Sequence, residues 1–358
     1  MRPEAATDLL AARTEANRAY FAAEAEHIAR LCRQMAERFL AGGRLLAIGA
    51  SPAARSDARH VAVEFVHPVI VGKRALPAVA FESAQEAALL AGPDDMVIAF
   101  DGEAPEGCFE VAIPAPPSDD PFIRQELCET YYHLLWELVH VFFEQGGRQS
   151  AGGGAASFLY PFLDERETDV EAVIADVAAS VVMKADEVGA LREQTLTEGR
   201  STLEAAARGL RARLEAGGTL FALGNGGSAT DAADVVADFR SAGRRALDLT
   251  DDPAIITAIA NDIGTEAIFS RQVIAYCAAG DALIALSTSG NSASVIAALA
   301  EARRRGLLTI ACVGYGGGKV AAEELADHVI VTRSEHIPRI QEAQASAYHV
   351  LRELVEEP

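Results

Sequence analysis

The chain carries one pattern twice. From Ala41 to Phe65 it reads AGGRLLAIGASPAARSDARHVAVEF, and from Ala216 to Phe239 it reads AGGTLFALGNGGSATDAADVVADF. Further on, QELCETYYHLLWELV at Gln125 to Val139 matches QEAQASAYHVLRELV at Gln341 to Val355 without a gap. An internal repeat of this length limits the fold more than any local propensity, because each half must close a similar core. The 358 residues suit two domains, and half of them are hydrophobic, enough for two cores. The expected division is 1–144, a linker at 145–167 and 168–358. Gln145 to Ser157 (QGGRQSAGGGAAS) has linker composition.

Charge removes several function classes. A formal net charge of −21 is a poor match for a nucleic-acid groove, which needs a basic face to displace phosphate counterions. No apolar run is long enough to span a bilayer, and MRPEAATDLL lacks the pattern of a secretory signal. Five scattered cysteines with no CxxC suggest a reduced, cytoplasmic protein.

Short apolar stretches alternate with helical ones. In the first half strands are expected at 44–49, 77–81, 96–100 and 109–113, with helices over 5–40, 56–66 and 122–144. In the second, strands are expected at 219–223, 245–249, 282–286, 308–313 and 328–331. Helices are expected there over 229–242, 266–278, 292–305, 318–326 and 337–356, after a broken helical stretch over 168–216. The alternation predicts an α/β fold with a parallel sheet covered on both faces. Ligands of such sheets bind at the carboxyl ends of the strands.

Two loops of the second half lie at such ends. Gly224-Asn225-Gly226-Gly227-Ser228 joins a strand to a helix, and so does Ser287-Thr288-Ser289-Gly290-Asn291-Ser292. Glycines let the backbone approach an anion, and a helix start offers N–H groups that lack intrahelical acceptors. Each loop alone could be a capped turn. Together, with four hydroxyls, they suit a phosphate monoester. A dinucleotide fingerprint through Gly224, Gly226 and Ala229, with Asp248 for a ribose, is a weaker match.

On these residues, together with AIANDIGTEAIFSRQV, GDALIALSTSGNSASVIAALAEARRRG and RIQEAQASAYHVLRELVEE, the second half resembles the sugar isomerase (SIS) domain family, of phosphoheptose isomerase type. The resemblance implies two tandem SIS domains, each doubly wound and flavodoxin-like. By resemblance Ser287, Thr288, Ser289 and Ser292 hold the sugar phosphate. Asn225, Gly226, Ser228, Asn261 and Asp262 line the sugar. The implied reaction is aldose–ketose isomerisation of sedoheptulose 7-phosphate through an enediolate, which needs a base and a stabiliser of the developing oxyanion.

The family carries an HxxxE pair after the glycine loop and a Gln and a His on the last helix, arranged round zinc. In the second half the first pair is Asp234 and Asp238, followed by Gln341 and His349. The first half keeps His60, Glu64, Gln125 and His133, but its phosphate loops have become Gly49-Ala50-Ser51-Pro52-Ala53 and Asp101-Gly102-Glu103-Ala104-Pro105. Two acids in a former phosphate cradle are expected to repel a phosphate.

The expectation is therefore shared labour. The second half grips the phosphate, while the first supplies a divalent metal, zinc by its donor set, with Glu64 as base and His133 as acid. Asp234, Asp238, Gln341 and His349 acting beside their own loops are the alternative. A sugar-phosphate sensor or scaffold is the non-enzymatic one. The fused halves imply a homodimer, with no membrane and no direct nucleic-acid partner.

Overall fold

A computed structural model describes residues 3–69, 73–145 and 170–357. The expected linker at 145–167, Gln145 excepted, and the first residues of the 168–358 domain lie outside these. The chain forms two compact units. The first spans residues 15–187, and the second combines residues 1–14 with 188–358.

Most of helix α1 (Pro3–Leu40) belongs to the first unit. It is followed by β1 (Leu45–Ile48), α2 (Pro52–Val66), β2 (Ala78–Phe81), α3 (Ala84–Leu90), β3 (Met96–Ala99), β4 (Phe109–Glu110) and α4 (Pro121–Gln145). The sheet order is β2-β1-β3-β4, with every pair parallel. All four residues of β1, Leu-Leu-Ala-Ile, are buried, as a strand covered on both faces requires. The core runs from Phe21, Ile28 and Met35 of α1 to Tyr131, Trp136 and Val139 of α4.

Helix α5 (Val170–Glu198) runs from the first unit into the second. There α6 (Arg200–Glu215), β5 (Leu220–Leu223), α7 (Gly227–Ser241), β6 (Ala246–Asp248) and α8 (Pro253–Asp262) follow. After a 3₁₀ turn come α9 (Ser270–Tyr276), β7 (Ala282–Ser287), α10 (Ala293–Arg304), β8 (Leu308–Val313), α11 (Gly318–Ala322), β9 (His328–Val331) and α12 (Ile337–Glu356). The order β6-β5-β7-β8-β9 is again parallel throughout. Separate cores cover the two faces of this sheet, one including Leu210, Val235 and Leu351, the other Phe269, Val295 and Leu299.

In both sheets the first strand lies between the second and the third. The chain therefore leaves the two central strands toward opposite sides and opens a crevice at their carboxyl ends. Both glycine turns follow the first strand of their sheet, and the serine loop follows β7. The α/β expectation holds, with local differences. The helix expected at 266–278 is broken, because Ile268 and Phe269 turn inward between a 3₁₀ turn at Thr265–Ala267 and α9. Helices α3 and α8, absent from the expected elements, start at capping residues. Ser83 accepts from Glu86 N, and Asp252 accepts from Ala254 N and Ile255 N. Among the described residues no helix is long and apolar enough to cross a membrane.

Candidate functional site

The glycine turn of the second unit is dictated by contact. A Cβ on Gly224 would lie 2.7 Å from Ser228 Cβ, and closer still to that residue's carbonyl group. Only glycine lets β5 run this tightly into α7. Gly226 precedes the helix at φ +60°, a left-handed conformation that glycine adopts without penalty. The serine loop is tied down in a similar way. Gly290, at φ +61°, packs against the Gly317 backbone, and Val320 N donates to Gly290 O at 3.1 Å. Lys319 N donates to Asn291 Oδ1 at 3.0 Å.

The two loops meet. Asn225 Nδ2 donates to Ser292 Oγ at 2.8 Å and to Ser294 Oγ at 3.0 Å. Ser287 Oγ accepts from Gly290 N at 3.2 Å, and Ser289 Oγ accepts from Asn291 N at 3.1 Å. Ser228 and Ser287 are buried, Thr288, Ser289 and Ser292 partly so, and Asn225 and Gly226 exposed. The result is a set of hydroxyls and backbone amides at the starts of α7 and α10, which suits an oxyanion. Asn261 and Asp262 are exposed at the end of α8 and hydrogen-bonded to each other. They take no part in the bonds that join the loops. Asp248, the ribose candidate, accepts from Thr250 N at 2.7 Å and Thr250 Oγ1 at 2.6 Å, so it shapes its own turn.

Behind the glycine turn, α7 and α12 bring the acid–imidazole group together. Asp234 and Asp238 lie one turn apart on α7 and face His349 of α12. His349 Nε2 is 3.7 Å from Asp234 Oδ2 and 3.5 Å from Asp238 Oδ2. Tyr348 donates to Asp234 Oδ2 at 3.0 Å. His349 is wholly buried, as are Ala343, Ala345, Ser346 and Ala347 on the same helix. These small side chains let α12 sit deep in the unit. Gln341, two turns before His349, is buried on the same helix.

The first unit assembles its own cluster between α2 and α4. His60 Nε2 is 3.3 Å from His133 Nε2 and 3.8 Å from Glu64 Oε1. Glu129, one turn before His133, completes it. Single ligand atoms of His60, Glu129 and His133 all lie within 4.8 Å of one another. The three residues are 2%, 4% and 0% exposed. Burial, with His133 beside it, holds the His60 imidazole well below the ordinary histidine range, so it is neutral at pH 7. Two imidazoles and a carboxylate form a donor set for a divalent transition metal. Among the described residues this is the one His/Cys/Asp/Glu group that closes in this way. Gln125, half-buried, lies one turn before Glu129 on the same helix.

The structure thus brings together the two second-half loops, Asp234 and Asp238 with His349, and His60 and Glu64 with His133. Sequence reasoning missed Glu129, Ser294 and Tyr348. Glu129 was detectable, since it falls between Gln125 and His133 at four-residue steps where the second half has Ala345.

The SIS domain family matches residues 185–314. A phosphoheptose isomerase of Thermodesulfovibrio yellowstonii is 39% identical over 173 residues, covering 47% of this chain and 85% of that protein. One from Aquifex aeolicus is 45% identical over 150 residues, covering 40% of this chain and 78% of its own length. These matches span about half of the chain. The C-terminal domain of a glucosamine-fructose-6-phosphate aminotransferase from Francisella tularensis aligns with 97% of this chain and 93% of its own, at a TM-score of 0.58 and 10% identity. That likeness is one of fold.

Proposed function

The chain belongs to the SIS domain family, and from that premise we propose that it is a sugar-phosphate aldose–ketose isomerase. Its substrate is sedoheptulose 7-phosphate and its product D-glycero-D-manno-heptose 7-phosphate. The observation that carries this reading is the junction of the two second-unit loops through Asn225, Ser292 and Ser294. The phosphate takes hydrogen bonds from Ser287, Thr288, Ser289 and Ser292, and from amides at the two helix starts. Asn225, Gly226 and Ser228 line the sugar, with Asn261 and Asp262 at the outer edge.

Asp238 removes the proton from the carbon beside the carbonyl, exchanges it with solvent while the enediolate persists, and then protonates the neighbouring carbon. His349, 3.5 Å from Asp238, moves the hydroxyl proton between the two oxygens of the enediolate. Asp234 faces the imidazole and holds it in place, with Tyr348 fixing Asp234. A buried imidazole between carboxylates suits this transfer, because general acid–base catalysis needs groups held within reach of the proton they move.

A second reading gives the proton transfers to Glu64 and His133 of the first unit. The closure of His60, Glu129 and His133 within 4.8 Å favours it. These residues would hold a divalent cation, zinc by donor type, whose charge would stabilise an enediolate oxygen.

Turnover of sedoheptulose 7-phosphate in D₂O tests the proposal by proton NMR. Product formation with deuterium at the carbon next to the carbonyl is expected. Tight binding of the ester without turnover or deuterium uptake would contradict catalysis and leave a sugar-phosphate sensor.

A further inference from the structure

The first unit keeps the scaffold of an anion site. Gly49 follows β1 as Gly224 follows β5, and a Cβ on it would lie 2.6 Å from Arg55 N, and closer to the Ala54 carbonyl group. The turn therefore holds the same tight strand-to-helix approach. Ser51 caps α2, its side chain accepting from Ala54 N, so the helix start again faces the crevice at the sheet's switch point.

An acid stands where the other unit has the first serine of its anion loop. Ile48 pairs with Ala99, and two residues on is Asp101. Leu223 pairs with Ala285, and two residues on is Ser287. The Asp101 carboxylate takes both amides of the glycine turn. Ala50 N donates to Oδ1 at 2.7 Å, and Ser51 N donates to Oδ2 at 2.7 Å. Two oxygens of one anion on two consecutive amides is the arrangement a phosphate would make at a helix start. The sequence suggested that acids here would repel phosphate. The structure adds that one of them occupies the donors itself.

We propose that Asp101 is an internal plug: its carboxylate fills the anion cradle of the first unit, and removing it opens a second phosphate-binding site in the chain. The contact silences one of two similar cradles, so a single phosphate ester binds where the repeat would otherwise offer two places. Glu103, exposed on the same loop, is not needed for the plug. The inference does not depend on the reaction proposed above, since it concerns only the first unit's amides.

The test is phosphate binding to the full chain, read as stoichiometry by equilibrium dialysis with inorganic phosphate. The variants are Asp101→Ser, which restores the residue type of the second unit, and Asp101→Asn, which keeps one acceptor without the charge. Asp101→Ser is expected to bind one more phosphate per chain than the unsubstituted protein. Adding Ser289→Ala to both proteins lowers binding at the second unit and leaves the increment, so failure of the functional proposal and of the plug are read separately. Should Asp101→Ser not fold, Asp101→Asn replaces it, with a phosphate-dependent rise in Tm larger than that of the unsubstituted protein as the expected result. A folded variant with the unsubstituted stoichiometry and no added phosphate response would overturn the plug.

Discussion

Alanine at the two equivalent glycines separates scaffold from chemistry. In Gly224→Ala the new Cβ would sit 2.7 Å from Ser228 Cβ, where ordinary contact begins at 3.4 Å. The turn or the start of α7 must give by at least about 0.7 Å, and more to clear the carbonyl group. Overpacking of this kind costs about 1–3 kcal/mol of stability. It also moves Asn225, which bridges to the serine loop, and displacement of a binding group by ~1 Å costs on the order of 10²-fold in rate. Gly49→Ala meets the same obstruction, 2.6 Å from Arg55 N, and should destabilise by a similar about 1–3 kcal/mol. Its turn, however, is filled by Asp101. Urea unfolding and steady-state isomerisation of both variants, normalised to folded protein, are the assay. The expected result is comparable destabilisation, with kcat/KM lost only in Gly224→Ala. Equal loss of turnover in both, or unchanged turnover in Gly224→Ala, would refute the assignment of the phosphate to the second unit.

Three further outcomes follow from the same geometry. Tyr348→Phe removes the hydroxyl that holds Asp234 at 3.0 Å and should lower kcat by about tenfold with little change in KM, since about 1.4 kcal/mol of positioning is lost; a KM effect alone would place Tyr348 in binding instead. Elemental analysis of purified protein should find a divalent metal that disappears in the His60→Ala and His133→Ala variants and weakens in Glu129→Gln; unchanged metal content in all three would exclude that cluster as the site. Asp101 lies below the ordinary aspartate range because the amides of Ala50 and Ser51 outweigh the opposing effect of burial. The folded state therefore binds fewer protons, and the stability it confers, about 2 kcal/mol from two charge-assisted bonds at a partly exposed site, is present above the unfolded pKa of about 3.9 and lost as pH falls through the lower folded value. The stability difference between the unsubstituted protein and Asp101→Ser should shrink below about pH 4; a difference constant down to pH 3 would contradict the linkage.

Much of the fold was legible in the sequence because parallel strands buried on both faces read as short apolar runs. Leu45–Ile48 and Ala282–Ser287 are plain examples. The same periodicity hid α8, an apolar segment with no buried residue, whose real marker is the Asp252-Pro253 start. The loops were legible because glycine and serine in a strand-to-helix turn have few other uses. Glu129 was passed over despite its four-residue spacing from Gln125 and His133, since the repeat drew attention to matching positions and Glu129 is matched by alanine. The contact of Asp101 with Ala50 and Ser51 depends on strand register, which composition does not give. A charge that looks repulsive to a ligand is here satisfied by the donors the ligand would have used.

Asp238 of α7 and His349 of α12 carry the proposed catalysis. Its most direct measurement is kcat for sedoheptulose 7-phosphate in Asp238→Asn and Glu64→Gln, each in an otherwise unsubstituted chain. Loss of at least about 10²-fold in Asp238→Asn, with Glu64→Gln near the unsubstituted rate, is the predicted result. A Glu64→Gln protein without turnover, beside an active Asp238→Asn protein, would contradict the claim and move the chemistry to the first unit.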